Sequence, residues 1–396
     1  MQPAVRAGGK PSPPEARYSR LRADPGSQDD EAKGGAVNFL NVDRRLNGNA
    51  DLELVEDSLQ RFFVDAKLRA VAVNATYLGL WEALERATAG GKRSRPRLVM
   101  LAYRQLGGTD FSSAAELAAS YELLHSALLI HDDVIDRDFV RRGTPNVSGH
   151  YRSRALRAGE PAAAADHAGV SAGVLAGDLA LSSAYRLLRS IEAPPLVRQR
   201  LNDILDDAIF SSVGGEVLDI EFSRTPDMPS LEDITRTAHQ KTSVYSFEAP
   251  LQAGAVLASA PEPVVTALTD FGRYAGIAYQ LADDVMGVFG NESRTGKTSW
   301  GDLREGKRTA LLSYAAARPE WTRIAPVIGS QDMTAADAEY VRSVLVSCGA
   351  KNYAITLATE NALLAVMHLE ADGVPDALRS TLERMLFSVI SDLSSR

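Results

Sequence analysis

From Val37 onward the apolar residues return at the spacing of a helix. Leu117, Tyr121, Leu124 and Leu128 stand at i, i+4, i+7 and i+11, one stripe of an amphipathic helix. Similar stripes run through 51–71, 97–106, 170–191, 197–221, 263–289 and 353–369, and alternating strand-like runs are scarce. Chain breakers separate them: Gly107-Gly108, Glu160-Pro161, Pro194-Pro195, Pro226 to Pro229 and Gly373 to Pro375. The pattern predicts an all-α fold of long helices packed around one another. Residues 1–36 hold five prolines and five glycines against four large apolar residues (Met1, Val5, Tyr18, Leu21), too little to bury, so a disordered tail is expected. That leaves 37–396 as a single helical domain.

A chain that is 45% hydrophobic and 24% charged is neither mainly disordered nor fibrous. Acidic residues outnumber basic ones, 51 to 43, and the net charge of −8 offers no basic domain for nucleic acid. An anionic substrate therefore needs locally placed cations. The one cysteine, Cys348, forms neither an intramolecular disulfide nor a cysteine-based zinc site, and the chain reads as cytoplasmic. No stretch approaches the roughly 18 to 20 apolar residues of a membrane span, and no apolar block of a signal peptide opens the sequence.

The strongest chemical feature is His131-Asp132-Asp133-Val134-Ile135-Asp136. Asp132 and Asp136 share a helical face about one turn apart. Carboxylates so placed repel unless cations bridge them, and oxygen ligands shared with waters and phosphates suit Mg²⁺. A solvated acidic helix end is the plainer alternative. Arg141-Arg142-Gly143 follows five residues on, offering either forks for phosphate or ordinary salt bridges to Asp136 and Asp138. Gly90-Gly91-Lys92-Arg93-Ser94-Arg95-Pro96 sets Lys92 and Arg95 at i and i+3, on one face of a helix start, beside a glycine pair that lets an anion approach the backbone. Lys241-Thr242 is expected within an ordinary helix, and Lys297 and Lys307 within a turn-rich stretch, each lysine equally readable as a surface charge.

A second acidic pair, Asp283-Asp284, lies among apolar residues with Gln280 on the same face. Two adjacent carboxylates in a buried helix require either two cationic partners or a metal. His125, two turns before Asp132, faces the same way and reads as well as a core histidine.

Together these segments resemble the trans-isoprenyl diphosphate synthases, the polyprenyl synthetase family. The resemblance rests on GGKRSRP (90–96), ELLHSALLIHDDVIDRDFVRRGTP (122–145), LAGD (175–178), GGEVLDIEF (214–222), KT (241–242), YQLADDVMGVFG (279–290) and GKTSWGDLREGKRT (296–309), in order. It implies a bundle of long antiparallel helices around a central cavity, in a homodimer. It implies that Asp132, Asp133, Asp136, Asp283 and Asp284 hold Mg²⁺ on an allylic diphosphate contacted by Arg141, Lys241, Thr242, Gln280 and Lys297. By the same resemblance Lys92, Arg95, His125 and Arg142 bind isopentenyl diphosphate, and Lys307 aligns near a further substrate lysine. The implied reaction ionises the allylic C–O bond and joins the cation to isopentenyl diphosphate.

This sequence departs from the family pattern in places. Gly287 stands where many members carry a third aspartate. Pro145 to Gly173 looks longer than in many members, which leaves open whether it is a flexible flap. Farnesyl-producing relatives usually have an aromatic floor five residues before the first aspartate; here that residue is Ala127, with Leu128 beside it and Leu124 one turn deeper. A C20 product, geranylgeranyl diphosphate, is therefore expected, with C25 or longer as the alternative. A class I terpene cyclase would need an Asn/Ser/Glu triad; Asn202-Asp203 begins one, but Asp206 holds its serine position. A non-catalytic subunit would lack an aspartate motif, and both are present.

Overall fold

The computed structural model describes residues 48–225, 227–290 and 300–394, so the 1–36 tail lies outside the described residues. The chain begins with α1 (Gly48–Val71), α2 (Ala75–Thr88), α3 (Ser94–Gln105) and α4 (Phe111–Ile135), then a hairpin of β1 (Val140–Arg141) and β2 (Thr144–Pro145). α5 (Val147–Arg157), α6 (Ala162–Ser190), α7 (Pro195–Arg224) and α8 (Leu231–Ala238) follow. α8 runs without a break into a π-helix, His239–Glu248, and on into α9 (Ala249–Leu257). The remaining helices are α10 (Glu262–Phe289), α11 (Gly301–Glu305), α12 (Ala310–Ala316), α13 (Trp321–Ile324), α14 (Ala335–Ser347), α15 (Ala350–His368) and α16 (Asp376–Ser394). Among the described residues no helix is long and apolar enough to cross a membrane.

The helix carrying the first aspartate motif is central, and its residues are buried around most of its circumference. Leu117, Ala118, Ala119, Tyr121, Leu123 and Leu124 are all fully covered, so the single stripe expected from the sequence understates α4. Asp110 caps it, its side chain accepting from the backbone N–H groups of Ser112 and Ser113. α6 packs along α4, with Gly173 and Gly177 where a side chain would strike Val134 and His131, so that the two helices approach closely. The LAGD segment belongs to this contact: the His131 ring occupies the space beside Gly177, and His131 Nε2 lies 3.4 Å from Asp178 Oδ1.

Pro145 to Gly173 is not a loose flap. Most of it is α5 and the start of α6, which pack on each other so closely that a Cβ at Gly169 would stand 2.6 Å from the Ser148 carbonyl oxygen. Asn146 caps α5 by accepting from the Gly149 N–H at 2.8 Å, fixing its start directly after β2. The hairpin before it turns through Arg142 and Gly143, at φ 54° and 75°. Two left-handed residues in a two-residue loop make the tight turn whose twist matches a strand pair. It also separates two neighbouring arginines, as the site shows.

Candidate active site

The first acidic cluster closes the end of α4. Asp133 is buried and Asp132 half-buried, and Arg141 returns from β1 to both: its Nε donates to Asp133 Oδ1 at 2.7 Å and Nη2 to Asp132 Oδ2 at 3.3 Å. Burial still outweighs Arg141 and holds the Asp133 pKa above the usual carboxylate range. Asp136 is pushed up to about 7, first by partial desolvation and then by Asp132. Its side chain is exposed, so water screens part of that effect.

Lys241 ties this cluster to α7. Its Nζ lies 2.7 Å from Asp219, 2.8 Å from Glu216 and 3.5 Å from Asp132. Burial alone would lower its pKa, but Asp219, Asp132 and Glu216 outweigh it and keep the lysine charged. The ordinary helix expected here is the π-helix, whose wider turn needs room on both sides. Glycines supply it: a Cβ at Gly215 of α7 would strike the Lys241 backbone, and one at Gly272 of α10 would come within 2.7 Å of the Glu248 backbone.

From the same π-helix a hydrogen-bonded chain reaches the second acidic pair. Thr242 Oγ1 donates to Gln280 Oε1, Gln280 Nε2 donates to Asp284 Oδ1, and Lys307 Nζ donates to the same oxygen, each at 2.9 Å. Asp284 is buried, and burial holds its pKa up despite Lys307. Thr242, Gln280 and Lys307 therefore orient Asp284. α11 closes this side: its Asp302 carboxylate occupies the space beside Gly287, where a third aspartate of the motif would start. Lys297 lies outside the described residues.

The remaining cations gather opposite. The Arg142 guanidinium lies 3.5 Å from where a Gly91 Cβ would stand, so the hairpin sends Arg141 to the aspartates and Arg142 to the 90–95 loop. Lys92 precedes α3 rather than sharing a helical face with Arg95. Burial lowers its pKa, while the charges of Asp283 and Arg142 act on it in opposite senses. Arg95 donates to Tyr245 Oη at 2.9 Å and Ser246 Oγ at 2.6 Å, and lies over the Tyr245 ring. His125 stacks on that ring, with its Nδ1 buried and unpartnered. Burial, then Arg95, Arg142, Arg141 and Arg93, depress its pKa far below the ordinary histidine value, so it stays neutral.

Of the residues expected to set product length, Leu128 keeps some accessible surface, whereas Ala127 and Leu124 are fully covered. The start of a cyclase triad does not converge: Asn202 bonds its own helix at the Arg198 carbonyl, and Asp206 accepts from Tyr185 Oη. Sequence reasoning passed over Glu216, Asp219, Tyr245, Ser246 and Asp302. Three of these lie in quoted segments, GGEVLDIEF and GKTSWGDLREGKRT, where the signal was present without a role.

The sequence pattern described as Polyprenyl synthetase matches residues 79–345. The chain belongs to this family. Among curated polyprenyl synthetases it is 34% identical over 273 residues to a geranylfarnesyl diphosphate synthase of Aeropyrum pernix, covering 67% of this chain and 79% of that one. It is 31% identical over 305 residues to a geranylgeranyl diphosphate synthase of Methanosarcina mazei, covering 77% and 85%. Among solved structures it resembles a geranylgeranyl pyrophosphate synthase of Corynebacterium glutamicum, complexed with isoprenyl diphosphate and magnesium. That match has a TM-score of 0.81 at 29% identity, covering 87% of this chain and 99% of that one. The all-α bundle is thus the fold of the polyprenyl synthetases, and the protein is a trans-prenyl diphosphate synthase, a transferase that elongates prenyl chains.

Proposed function

We propose that the protein condenses isopentenyl diphosphate with an allylic diphosphate, with Mg²⁺ as cofactor, and stops at geranylgeranyl diphosphate (C20). The observation that carries this reading is the unequal charging of two halves of one site. One half sets carboxylates against fewer cations, Asp132, Asp133 and Asp136 beside Arg141 and Lys241, and Asp283 and Asp284 beside Lys307; the other, Lys92, Arg95 and Arg142 around neutral His125, has cations in excess. The first suits a diphosphate that arrives with metal, the second a diphosphate held directly by side chains.

The donor set fits Mg²⁺. Asp133, Asp136 and Asp284 all have raised pKa values, so each ionises at a cost that a cation would offset. Bound between the acidic clusters, Mg²⁺ would neutralise charge on the departing pyrophosphate. Arg141 and Lys241 act on the same oxygens, and their attraction grows as the leaving group gains charge. Arg95, Lys92 and Arg142 hold the second diphosphate, so that its double bond meets the allylic cation, and the released pyrophosphate accepts the final proton. No side chain serves as nucleophile.

Product length rests on the apolar face of α4. Ala127 provides no aromatic floor, and below Leu124 lies Tyr121, a fully buried ring about 16 Å along the helix from Asp132. A bulky ring at that depth supports a C20 stop. The homodimer is supported by Phe210, Val213 and Val217, an apolar stripe on α7 that is 82%, 52% and 59% exposed. A cytoplasmic location goes with the single Cys348, and 37–396 is taken as one domain.

The test is incubation of the purified chain with Mg²⁺, isopentenyl diphosphate and, separately, dimethylallyl, geranyl or farnesyl diphosphate, then chromatography of the dephosphorylated alcohols. A C20 end product is expected. C25 or longer would move the floor below Tyr121, and no elongation from any primer would overturn the reading.

A further inference from the structure

The segment Lys92-Arg93-Ser94-Arg95 carries three cations, and the structure turns the middle one away from the other two. Arg93 is only 5% exposed. Its Nε and Nη2 donate to the two carboxylate oxygens of Glu56 on α1, at 2.6 and 3.0 Å. Its Nη1 donates at 2.7 Å both to Glu122 Oε1 on α4 and to the carbonyl of Thr88, the last residue of α2. Four of the five N–H donors of the guanidinium are thereby used within the protein. Arg93 has no free fork for a diphosphate, and its charge is matched by two carboxylates.

The backbone is as unusual as the side chain. Arg93 has φ 53°, in the left-handed region that residues with a Cβ seldom enter, just after Gly90 at 72° and Gly91 at 89°. This course lets α3 start at Ser94 while Lys92 stays near Asp283 and Arg142, and Arg95 reaches Tyr245 and Ser246. A strained residue persists only where its surroundings over-determine it. Here those surroundings are α1, α2 and α4, joined through one guanidinium.

We propose that Arg93 is a positioning residue for isopentenyl diphosphate: its clamp on Glu56, Glu122 and Thr88 fixes the 90–95 loop so that Lys92 and Arg95 share one diphosphate with Arg142. The proposal rests on the reading of those three cations as the isopentenyl diphosphate site. It makes α1 part of the binding apparatus through Glu56. Lysine cannot replace Arg93, because a single ammonium does not span a carboxylate fork, a second carboxylate and a carbonyl.

Deleting the guanidinium would strand Glu122, whose Oε2 is already buried without a partner, so folding could fail. Glu56 gives a safer test, its side chain being 52% exposed. Full-length wild type, Glu56→Ala and Arg93→Lys are compared by melting temperature, kcat and the separate KM values for isopentenyl and allylic diphosphates. Both variants are expected to raise the isopentenyl KM about tenfold while the allylic KM stays within about twofold. Unchanged isopentenyl KM in a folded variant, or equal rises in both KM values that track a lowered melting temperature, would overturn the proposal. A wild type that turns over allylic diphosphate without consuming isopentenyl diphosphate would instead remove the reading beneath it.

Discussion

The carboxylate of Asp302 lies beside Gly287, in the space where any side chain at residue 287 would begin. The missing third aspartate of the second motif is therefore not a plain loss. α11 brings a carboxylate to the same end of α10 from fifteen residues further along the chain, and its charge is felt by Asp284 and Lys307. An aspartate at 287 and one at 302 cannot both adopt their present geometry.

Gly287→Asp should accordingly lower kcat/KM by about 5- to 150-fold where the usual overpacking cost of about 1–3 kcal/mol falls on the geometry of the site, each 1.4 kcal/mol being a factor of ten. Gly287→Asp/Asp302→Gly should regain most of the loss. Steady-state kinetics of the two variants decide the matter: a double variant no better than the single one would mean that the two positions do not exchange roles.

Lys241 holds Asp132, Asp219 and Glu216 around one ammonium, so its removal takes a cation from the leaving-group side of the site. Lys241→Gln is expected to lower kcat by about 10²–10³, the usual effect of deleting a preorganised charge contact, with the isopentenyl KM little changed. A loss below threefold would remove Lys241 from the chemistry and leave it as an ion-pair anchor for the π-helix.

His125 fixes a direction of pH dependence. Its folded-state pKa is depressed well below the ordinary histidine value, by burial first and then by Arg95, Arg142, Arg141 and Arg93. Between that value and the unfolded one, about 6.5, the unfolded chain binds a proton that the folded chain does not. Its contribution to stability is therefore complete above pH about 6.5 and falls by up to about 1.4 kcal/mol per pH unit below it. Denaturant melts of wild type and His125→Gln at pH 5 to 8 should show a stability difference that changes below pH 6.5 and is flat above. A pH-independent difference would mean that His125 binds its proton equally well in the folded and unfolded chain, and a difference that changes only above pH 6.5 would mean that the fold favours its protonated form.

Much of this site was legible because its chemistry is local in sequence: the two aspartate pairs, the hairpin arginines and the 90–95 loop each occupy one short segment. What was hidden depends on partners far away. The π-helix at Lys241 is made possible by glycines of α7 and α10, so no pattern within 239–248 announces it. Arg93 looks like a third substrate cation until Glu56 and Glu122 are placed beside it. The supposed flap was read from length alone, although Asn146 as a cap and the small residues of α6 mark it as packed helix. The burial of α4 on nearly all sides escaped because a stripe records only the most regular of several apolar faces.

Ala127 offers a test of the channel. It is fully covered, and a ring at this position would have to displace its neighbours or project into the path of the growing chain. Ala127→Phe should shift the end product from C20 to C15, with an overpacking cost of about 1–3 kcal/mol in a denaturant melt. An unchanged product distribution would place the channel along another face of α4.

The most direct measurement is the dependence of pyrophosphate release on isopentenyl diphosphate, made with the purified chain, Mg²⁺ and geranyl or farnesyl diphosphate. An elongating enzyme with two diphosphate sites should release one pyrophosphate for each five-carbon unit incorporated, and close to none when isopentenyl diphosphate is withheld. Rapid release without it, accompanied by a hydrocarbon product, would contradict the account and identify ionisation without condensation.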